Sequence, residues 1–366
     1  MGFKCGIIGL PNVGKSTIFN ALTESNKAEA ANYPFATIEP NIGRVPVPDE
    51  RLKILSEISS SKNTIPTFID FVDIAGLVKG ASQGEGLGNK FLSHIREVDA
   101  IAHVVRCFEN NNISHVSSSI NPKNDIETIT TELILADLET LQNKIISLDK
   151  KAKSGDKLIK KQLVVLKTLI NILNENKKIN INEFDEEDRF FVKCLNLISM
   201  KPLLYICNVD ESSIITGNKF SKEVEQIAVE EENGTVNVSA VIESQISEFE
   251  NKEEKLLMLK DLGLQQTTLN KVINAGYNLL NLITFFTSGP KETRAWTIIK
   301  NTKVAKAAGK IHSDFEKGFI RAETISYNDF IDFKGELACR ELGKLRQEGK
   351  DYIVKDGEIF HFLFKV

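Results

Sequence analysis

A glycine-rich loop close to the start of the chain constrains its fold more than any other feature. Residues 9–17 read GLPNVGKST and fit G-x-x-x-x-G-K-[ST], the phosphate-binding P-loop pattern. A short apolar run over 4–10 predicts a buried strand before the loop, and residues 15–25 have helical spacing after it. This order predicts backbone N–H groups that point at phosphate oxygens, at the positive end of a helix.

The loop predicts most of a nucleotide site. Lys15 is expected to reach the β- and γ-phosphates and to act in catalysis, and Ser16 is expected to bind Mg²⁺. The alternative, a glycine-rich turn that arose by chance, is disfavoured by the flanking strand and helix. The nucleotide contacts expected from this loop are Asn12, Val13, Gly14, Lys15, Ser16 and Thr17.

Two further segments predict how the metal and the γ-phosphate are recognised. Residues 73–76 read DIAG after an apolar strand and match D-x-x-G, so Asp73 is expected to hold Mg²⁺, usually through water, and the Gly76 N–H to sense the γ-phosphate. A simple turn at the end of the strand is the alternative. Upstream, Thr37 in residues 32–40 is a candidate second hydroxyl ligand for Mg²⁺, an assignment that depends on the motifs around it.

The segment NVDE, residues 208–211, follows an apolar strand and predicts the choice of base. Small GTPases carry N-K-x-D at this place, whereas here Val209 replaces the lysine, Glu211 stands fourth, and Asp210 comes one position early and should point elsewhere. Adenine has no 2-amino donor and its N1 repels a carboxylate, but Asn208 can pair with its N6 and N7. The sequence therefore favours ATP over GTP. The residues expected around the base are Asn208, Val209, Glu211, Ser239 and Ala240.

The succession of strand-like and helix-like segments predicts three parts. Residues 1–125 and 201–279 alternate the two, which predicts an α/β fold with a doubly wound, mostly parallel sheet. Between them, residues 126–200 predict an inserted arm in which two long helices form an antiparallel hairpin. Residues 280–366 predict a small α+β module.

Some finer predictions concern the arm and the last module. The turn of the hairpin is basic, and its lysines either form a solvated surface or contact RNA phosphate. These lysines are Lys150, Lys151, Lys153, Lys157, Lys160 and Lys161. In the last module, a strand is expected at 351–355 and a helix at 328–336.

Composition excludes several classes of protein. The net charge of −4 implies no global attraction to nucleic acid or to a membrane. The sequence contains no apolar stretch long enough to span a bilayer and no signal-peptide pattern. The five cysteines lie apart without a C-x-x-C pair, so reduced thiols in a cytoplasmic protein are expected. A monomer is expected, since no long heptad pattern stands apart from the hairpin.

Taken together, these motifs resemble the YchF-type ATPases of the Obg-related P-loop (TRAFAC) superfamily, over nearly the whole chain. The resemblance rests on residues 9–17, 32–41, 73–91, 208–211 and 294–324. It implies a nucleotide domain interrupted by a helical arm, a C-terminal TGS-like (ubiquitin-like) module, and ATP preference. It also implies binding to the ribosome, chiefly the large subunit, with which rRNA contacts through the arm and the TGS-like module would be compatible.

The resemblance also bears on how water is activated. Most small GTPases carry Gln directly after D-x-x-G, but Leu77 stands there and can neither orient nor polarise water. The family's matching histidine implies this role for His115, in the loop 109–119, and an ordinary loop histidine is the alternative. Asn12 matches a P-loop asparagine that binds potassium in related proteins, so K⁺ is a second candidate. A slow ribosome-associated ATPase is expected, and an Obg-like GTPase or a ribosome or RNA adaptor with a regulatory nucleotide site remains open.

Overall fold

The described residues of this computed structural model form two six-stranded sheets and a long helical arm. They are residues 3–24, 41–74, 87–110, 120–152, 156–249 and 251–365. The strands are β1 (Phe3–Ile8), β2 (Ile42–Pro46), β3 (Asn63–Ile65), β4 (Phe68–Asp73), β5 (Ala100–Cys107), β6 (Leu203–Val209), β7 (Gly234–Val238), β8 (Leu282–Ser288), β9 (Glu292–Ile299), β10 (Phe319–Ile325), β11 (Arg346–Glu348) and β12 (Ile359–Phe364). The helices are α1 (Lys15–Glu24), α2 (Glu50–Ile58), α3 (Leu87–Glu97), α4 (Pro122–Ala152), α5 (Lys157–Asn174), α6 (Glu186–Cys194), α7 (Lys219–Glu230), α8 (Ala240–Glu248), α9 (Lys252–Asp261), α10 (Thr268–Leu279), α11 (Val304–Ile311), α12 (Ser313–Lys317), α13 (Tyr327–Asp332) and α14 (Glu336–Glu341).

The first sheet has the order β2-β4-β1-β5-β6-β7. Its strands are parallel except for β2, which runs antiparallel to β4. All eight residues of β5 are buried, as a strand covered on both faces requires. The strand order reverses beside β1, and in such sheets the ligand crevice lies at the carboxyl ends next to that point. The predicted doubly wound, mostly parallel sheet is confirmed.

The arm is the antiparallel pair of α4 and α5. Helix α4 has 31 residues, which makes it about 46 Å long at 1.5 Å per residue. It packs against α5 through an apolar stripe that includes Leu141, Leu148, Leu166 and Leu169. The Asp156 side chain accepts from the Leu158 N–H and caps α5. The hairpin therefore follows from the helical spacing of leucines and isoleucines, with the first helix starting earlier than predicted.

The basic end of the arm is partly neutralised. The ammonium group of Lys161 lies 2.9 Å from carboxylates of both Asp185 and Glu187, and 3.3 Å from Asp188. These acidic residues belong to the start of α6 and its N-cap, which packs beside the arm. Lys161 is therefore tied into the arm, and the basic surface there is smaller than the run of lysines suggests.

The second sheet has the order β11-β10-β12-β8-β9-β3 and is built mostly from the last part of the chain. Its core is aromatic: Phe285 stacks on Trp296 and meets the edges of Phe360 and Phe362. These rings fill the space under α11, whose Ala307 and Ala308 are fully buried. A small α+β module at the end of the chain is thus observed.

One edge of this sheet comes from the N-terminal part of the chain. Strand β3 pairs in parallel with β9, with Asn63 opposite Glu292. Helix α2 buries Leu52 and Leu55 among residues of the last module, including Phe286. The predicted division at residue 280 is therefore wrong for residues 50–65, because these leucines find their apolar partners on the second sheet.

Two finer predictions for the last module are also wrong. Residues 351–355 contribute a single bridge, Lys303 to Ile353, instead of a strand. Their backbone is used elsewhere, since the Lys355 N–H donates to the Glu358 side chain. The helix predicted at 328–336 is split into α13 and α14, because Gly335 has a φ of 122° that no helix tolerates.

All five cysteines are free, and burial separates one of them from the other four. Four cysteines, Cys5, Cys107, Cys207 and Cys339, are buried and unbridged, and Cys194 is exposed. Burial raises the pKa of the Cys5 thiol to about 12, so it stays protonated. Within the described ranges, each helix is too short or too polar to cross a bilayer.

Candidate nucleotide site

The P-loop joins β1 to α1 by a turn that only particular residues can form. Asn12 has a φ of 62° and Gly14 a φ of 91°, both in the left-handed region. A Cβ atom on Gly14 would lie 2.3 Å from Nδ2 of Asn208, and one on Gly9 would lie 2.8 Å from the Val104 carbonyl oxygen. Both glycines are therefore required by close packing, and the loop has the curled backbone that a phosphate nest needs.

Lys15 and Asp73 meet at the carboxyl edge of the sheet. Lys15 opens α1, Asp73 ends β4, and the Lys15 ammonium group hydrogen bonds to Asp73 Oδ1. Both side chains are largely buried, at 10% and 17% exposure, whereas Ser16 and Thr17 are exposed on the first turn of α1. The sequence thus places one cation, one carboxylate and one hydroxyl around the helix N-terminus.

This donor set fits magnesium as nucleotide sites bind it. Mg²⁺ usually takes one or two protein oxygens and completes its shell with phosphate and water. Ser16 and Asp73 supply such oxygens at adjacent strand and helix ends. In the ranges that the structure covers, His, Cys, Asp and Glu form no group of three that could hold a metal alone. With the oxygens of Ser16 and Asp73, the site suits a metal that arrives with phosphate.

Asn208 connects the P-loop to the loop behind the base. Its Nδ2 donates to the Val13 carbonyl oxygen at 2.8 Å, and its Oδ1 accepts from the Ala240 N–H at 3.1 Å. The side chain is only 3% exposed. Asn208 therefore joins two protein loops and keeps one N–H and one lone pair, which are the groups that the predicted pairing with adenine would use.

Asp210 is held inside its own turn. Its carboxylate accepts from the hydroxyls of Ser212 and Ser213 at 2.6 and 2.8 Å, and from Nδ2 of Asn218 at 3.2 Å. These bonds, with that from Ser212 the strongest, lower the pKa of Asp210 and keep it ionised. Asp210 is thus engaged within its own turn, although it also borders the cavity described next.

A cavity of about 740 Å³ lies between these loops, in the size range of cofactor sites. Besides the P-loop and residues 208–212, it is lined by Phe108, Ser239 and Val241. Glu211 lines it with an exposed side chain. The hydroxyl of Ser239 is fully buried and has no hydrogen-bond partner among the described residues. The cavity therefore combines apolar walls for a ring with an unpartnered polar atom.

Arg106 is a residue that sequence reasoning missed. It is 1% exposed, and its guanidinium group donates to the carbonyl oxygens of Phe108 and Asn110, at 3.3 and 3.1 Å. The Phe108 ring lies 4.7 Å from its Cζ atom. Burial lowers the pKa of Arg106, and Asp125 acts in the opposite direction. Arg106 therefore holds one wall of the cavity in place. The sequence pattern that could have revealed it is an arginine close to the end of an otherwise apolar strand.

The loop residues predicted around the base come together, but part of the site lies outside the described residues. Asn12, Gly14, Thr17, Asn208, Val209, Glu211, Ser239 and Ala240 line the cavity. The predicted Mg²⁺ ligand Thr37, the γ-phosphate sensor Gly76, its neighbour Leu77 and the catalytic candidate His115 lie outside the described residues.

Comparison with known proteins decides the family. The chain is 56% identical to the "Ribosome-binding ATPase YchF" of Haemophilus ducreyi, 54% identical to that of Escherichia coli O157:H7 and 50% identical to that of Bacillus subtilis. Each match covers the whole of both chains. The chain belongs to the YchF family. The resemblance inferred from its motifs is confirmed.

Two family models and one solved structure agree with the YchF assignment. A model of the YchF GTPase C-terminal region, described as a protein of unknown function, matches residues 282–365. A model described as "50S ribosome-binding GTPase" matches residues 4–136. The structure of the Schizosaccharomyces pombe YchF GTPase is 38% identical and superposes with a TM-score of 0.88, covering 99% of this chain and 98% of its own. The YchF fold therefore extends over both sheets and the arm.

Proposed function

We propose that this YchF-family chain is a ribosome-binding ATPase that hydrolyses ATP to ADP and phosphate and acts as a nucleotide-dependent switch. The observation that carries the proposal is the meeting of Lys15 and Asp73 beside a P-loop whose backbone is curled by Asn12 and Gly14. The names of its bacterial relatives, which share half or more of its residues, support the same activity.

The chemistry requires charge neutralisation on the phosphates and a positioned water. Lys15 and the backbone of the P-loop would bind the phosphate oxygens, and Ser16, Asp73 and Thr37 would hold Mg²⁺. The metal would supply further positive charge to the phosphates. His115, or K⁺ held with the help of Asn12, would serve the attacking water, and Gly76 would sense the γ-phosphate. Turnover by the chain alone is expected to be slow, on the order of 10⁻³ to 10⁻⁴ s⁻¹ as in isolated GTPases.

ATP is preferred over GTP in this proposal because the carboxylate that would read guanine is missing. Asp210 is fully engaged by Ser212, Ser213 and Asn218. Glu211 is exposed at the rim of the cavity, and adenine offers its acceptor N1 there instead of the two donors of guanine. The names of relatives differ on this point, since the bacterial proteins are called ATPases and the fission-yeast protein a GTPase.

The partner in this proposal is the ribosome, chiefly its large subunit. The chain would then act in the cytoplasm, and we propose that it acts as a monomer. Lys150, Lys157 and Lys160 remain exposed near the end of the arm and would contact rRNA phosphates. Lys161 is left out of this surface because of its ion pairs. The C-terminal sheet would serve as a TGS-like second contact.

Substitution of Lys15 tests the nucleotide part of the proposal. Lys15→Ala removes the cation at the phosphates and is expected to reduce ATP turnover at least 100-fold, with little change in the melting temperature. Single-turnover release of phosphate from ATP measures this. Lys53→Ala, on an exposed face of α2, is the matched control and should turn over normally. Full activity of Lys15→Ala would refute the P-loop assignment.

Cosedimentation with purified ribosomes tests the partner. The chain is expected to pellet with large subunits, and more strongly with a non-hydrolysable ATP analogue than with ADP. Turnover measured with and without ribosomes, in K⁺ and in Na⁺, separates an ATPase from an adaptor. Ribosome binding without any nucleotide dependence or turnover would support the adaptor, and binding driven by GTP alone would support the GTPase.

A further inference from the structure

A second cavity, of about 280 Å³, lies between the first sheet and the part of the arm that packs on it. It involves β5 and β6, the strands whose carboxyl ends border the nucleotide cavity. Its floor is the amino-terminal half of β5 and β6, and its roof is α4 with the end of α5. It is remote in the fold from the carboxyl edge that carries the P-loop. Its lining is mixed: aliphatic side chains stand beside charged and polar ones. The charged residues of the lining are Lys177, Lys178, Lys201, Glu230 and Glu231.

His103 lies on the floor of this cavity and is 2% exposed. Neither of its ring nitrogens has a hydrogen-bond partner among the described residues, and its one ring contact is with Tyr205, at 5.6 Å between centroids. Burial lowers the pKa of His103 to about 3, so the imidazole is neutral at pH 7. A neutral imidazole offers one N–H donor and one nitrogen acceptor, and both are available to a molecule in the cavity.

Neighbouring polar groups do not compensate His103. The hydroxyl of Tyr205 donates to the Glu231 carboxylate at 2.7 Å, and the Lys201 ammonium group donates to the Val98 carbonyl oxygen at 2.6 Å. Lys178 donates to the Glu231 carbonyl oxygen at 2.7 Å. These three groups are therefore paired with protein atoms. Ser199, whose buried hydroxyl has no hydrogen-bond partner among the described residues, also lines the cavity and adds to the unused hydrogen-bonding capacity.

The cavity is also accessible. A cleft of about 500 Å³ between α4 and α7 adjoins it, and five residues line both: Thr130, Ile134, Asn176, Glu230 and Glu231. Thr130 and Asn176 are exposed, so this boundary is open to solvent. A small molecule could thus reach the floor without separating the arm from the sheet.

We propose that this cavity is a binding site for a small, neutral aromatic molecule with one N–H or O–H donor, which hydrogen bonds to His103. The volume suits one or two fused rings, since an apolar cavity of about 150 Å³ binds benzene. A neutral ligand fits because Lys178, Lys201 and Glu231, which line the cavity, are already bonded to protein groups and would not serve as counter-charges. A bound molecule would contact both the sheet that carries Asn208 and the arm, so the site is suited to an effector.

Calorimetric titration of the full chain with indole tests this site. Benzothiophene is the matched probe, since it has nearly the same shape but no N–H. Indole is expected to bind with one-to-one stoichiometry and about 10-fold more tightly than benzothiophene, and to shift the ring resonances of His103 in NMR spectra. In His103→Leu the two probes should bind equally, while in His103→Gln, which keeps an acceptor, indole should retain part of its advantage.

Each variant is checked for unchanged affinity for ATP, since His103 lies outside the nucleotide site and a folded variant should bind normally. Absence of heat and of His103 shifts with both probes would show that the cavity holds water only and would overturn the proposal. An unchanged preference for indole in His103→Leu would also overturn it, because the donor would then be recognised elsewhere.

Discussion

Strands β5 and β6 build two cavities that differ in how their buried polar groups are satisfied. At the carboxyl end, Asn208 and Arg106 are nearly fully buried and bonded to backbone carbonyl oxygens. At the amino-terminal half, His103 is equally buried and has no hydrogen-bond partner among the described residues. The first cavity has long polar side chains held by bonds within the protein, and the buried hydroxyl of Ser239 is one polar group of its lining without a hydrogen-bond partner in the described part of the chain. In the second cavity the imidazole itself lacks such bonds, and a bound molecule or water would satisfy it.

The largest effect on the first cavity is expected from a change in the backbone of the P-loop. Gly14→Ala places a Cβ atom 2.3 Å from Nδ2 of Asn208, at a φ of 91° that alanine rarely adopts. ATP affinity is expected to fall at least 1,000-fold, about 4 kcal/mol. Gly289→Ala is the control, because its Cβ atom would have no neighbour within 4 Å. Equilibrium binding of ATP checks both, and near-normal affinity of Gly14→Ala would contradict the account.

A smaller effect, on stability, is expected when Asn208 can no longer join the P-loop to the loop at Ala240. Asn208→Asp keeps the size of the side chain and the acceptor for Ala240, but it cannot donate to the Val13 carbonyl oxygen. The free energy of unfolding should fall by about 3 kcal/mol, since a buried carboxylate then faces a carbonyl oxygen.

Asp210→Asn, two residues away, is the matched control for Asn208→Asp. It keeps an acceptor for the hydroxyls of Ser212 and Ser213, and its turn is exposed, so less than about 1 kcal/mol should be lost. Urea denaturation of both variants provides the measurement. Equal losses would show that Asn208 does not act as a bridge.

The state of His103, in the amino-terminal half of β5, is tested by the pH dependence of the free energy of unfolding. His103 titrates near 6.5 in the unfolded chain but has a pKa of about 3 when folded, so the unfolded chain binds more protons between these values. Stability from this group is therefore present above pH 6.5 and is lost as the pH falls towards 3. Between pH 7 and pH 5 the loss should be about 2 kcal/mol.

The variant His103→Leu isolates this effect. The other ionisable groups that line the cavity are present in both proteins, so their contributions cancel in the comparison. They are Lys177, Lys178, Lys201, Tyr205, Glu230 and Glu231. Denaturation at pH 5 and pH 7 should show a steeper dependence in the natural chain. Identical dependence in the two proteins would mean that His103 is not held neutral.

The sequence predicted the nucleotide cavity well and the cavity at His103 not at all, for physical reasons. The P-loop, Asp73 and the strands of the first sheet depend on local patterns that a short segment contains. The placement of β3 does not, because Ser59 and Ser288 meet at 2.7 Å from positions 229 residues apart. His103 likewise reads as one polar residue in an apolar strand, and only the packing of α4 over β5 shows that no residue in the described part of the chain hydrogen bonds to it.

The pairing of side chains was similarly beyond the sequence. Lys161 looks like its neighbouring lysines, yet the start of α6 supplies three carboxylates to it. Asn208 matches a base-reading position, and its contacts with Val13 and Ala240 depend on how close the P-loop and α8 approach. Motifs located the site, but which atoms were already used within the protein depended on the three-dimensional contacts.

The choice of purine is the most direct test of the central claim, that the cavity at the carboxyl edge binds ATP. Increasing amounts of Mg-ATP or Mg-GTP are added to the chain loaded with a fluorescent ADP analogue, and the half-displacing concentrations are compared. The account predicts that ATP displaces the analogue at a concentration at least 10-fold lower than GTP, about 1.4 kcal/mol, and that Val209→Lys combined with Glu211→Asp narrows this ratio. Displacement by GTP at the lower concentration would contradict it.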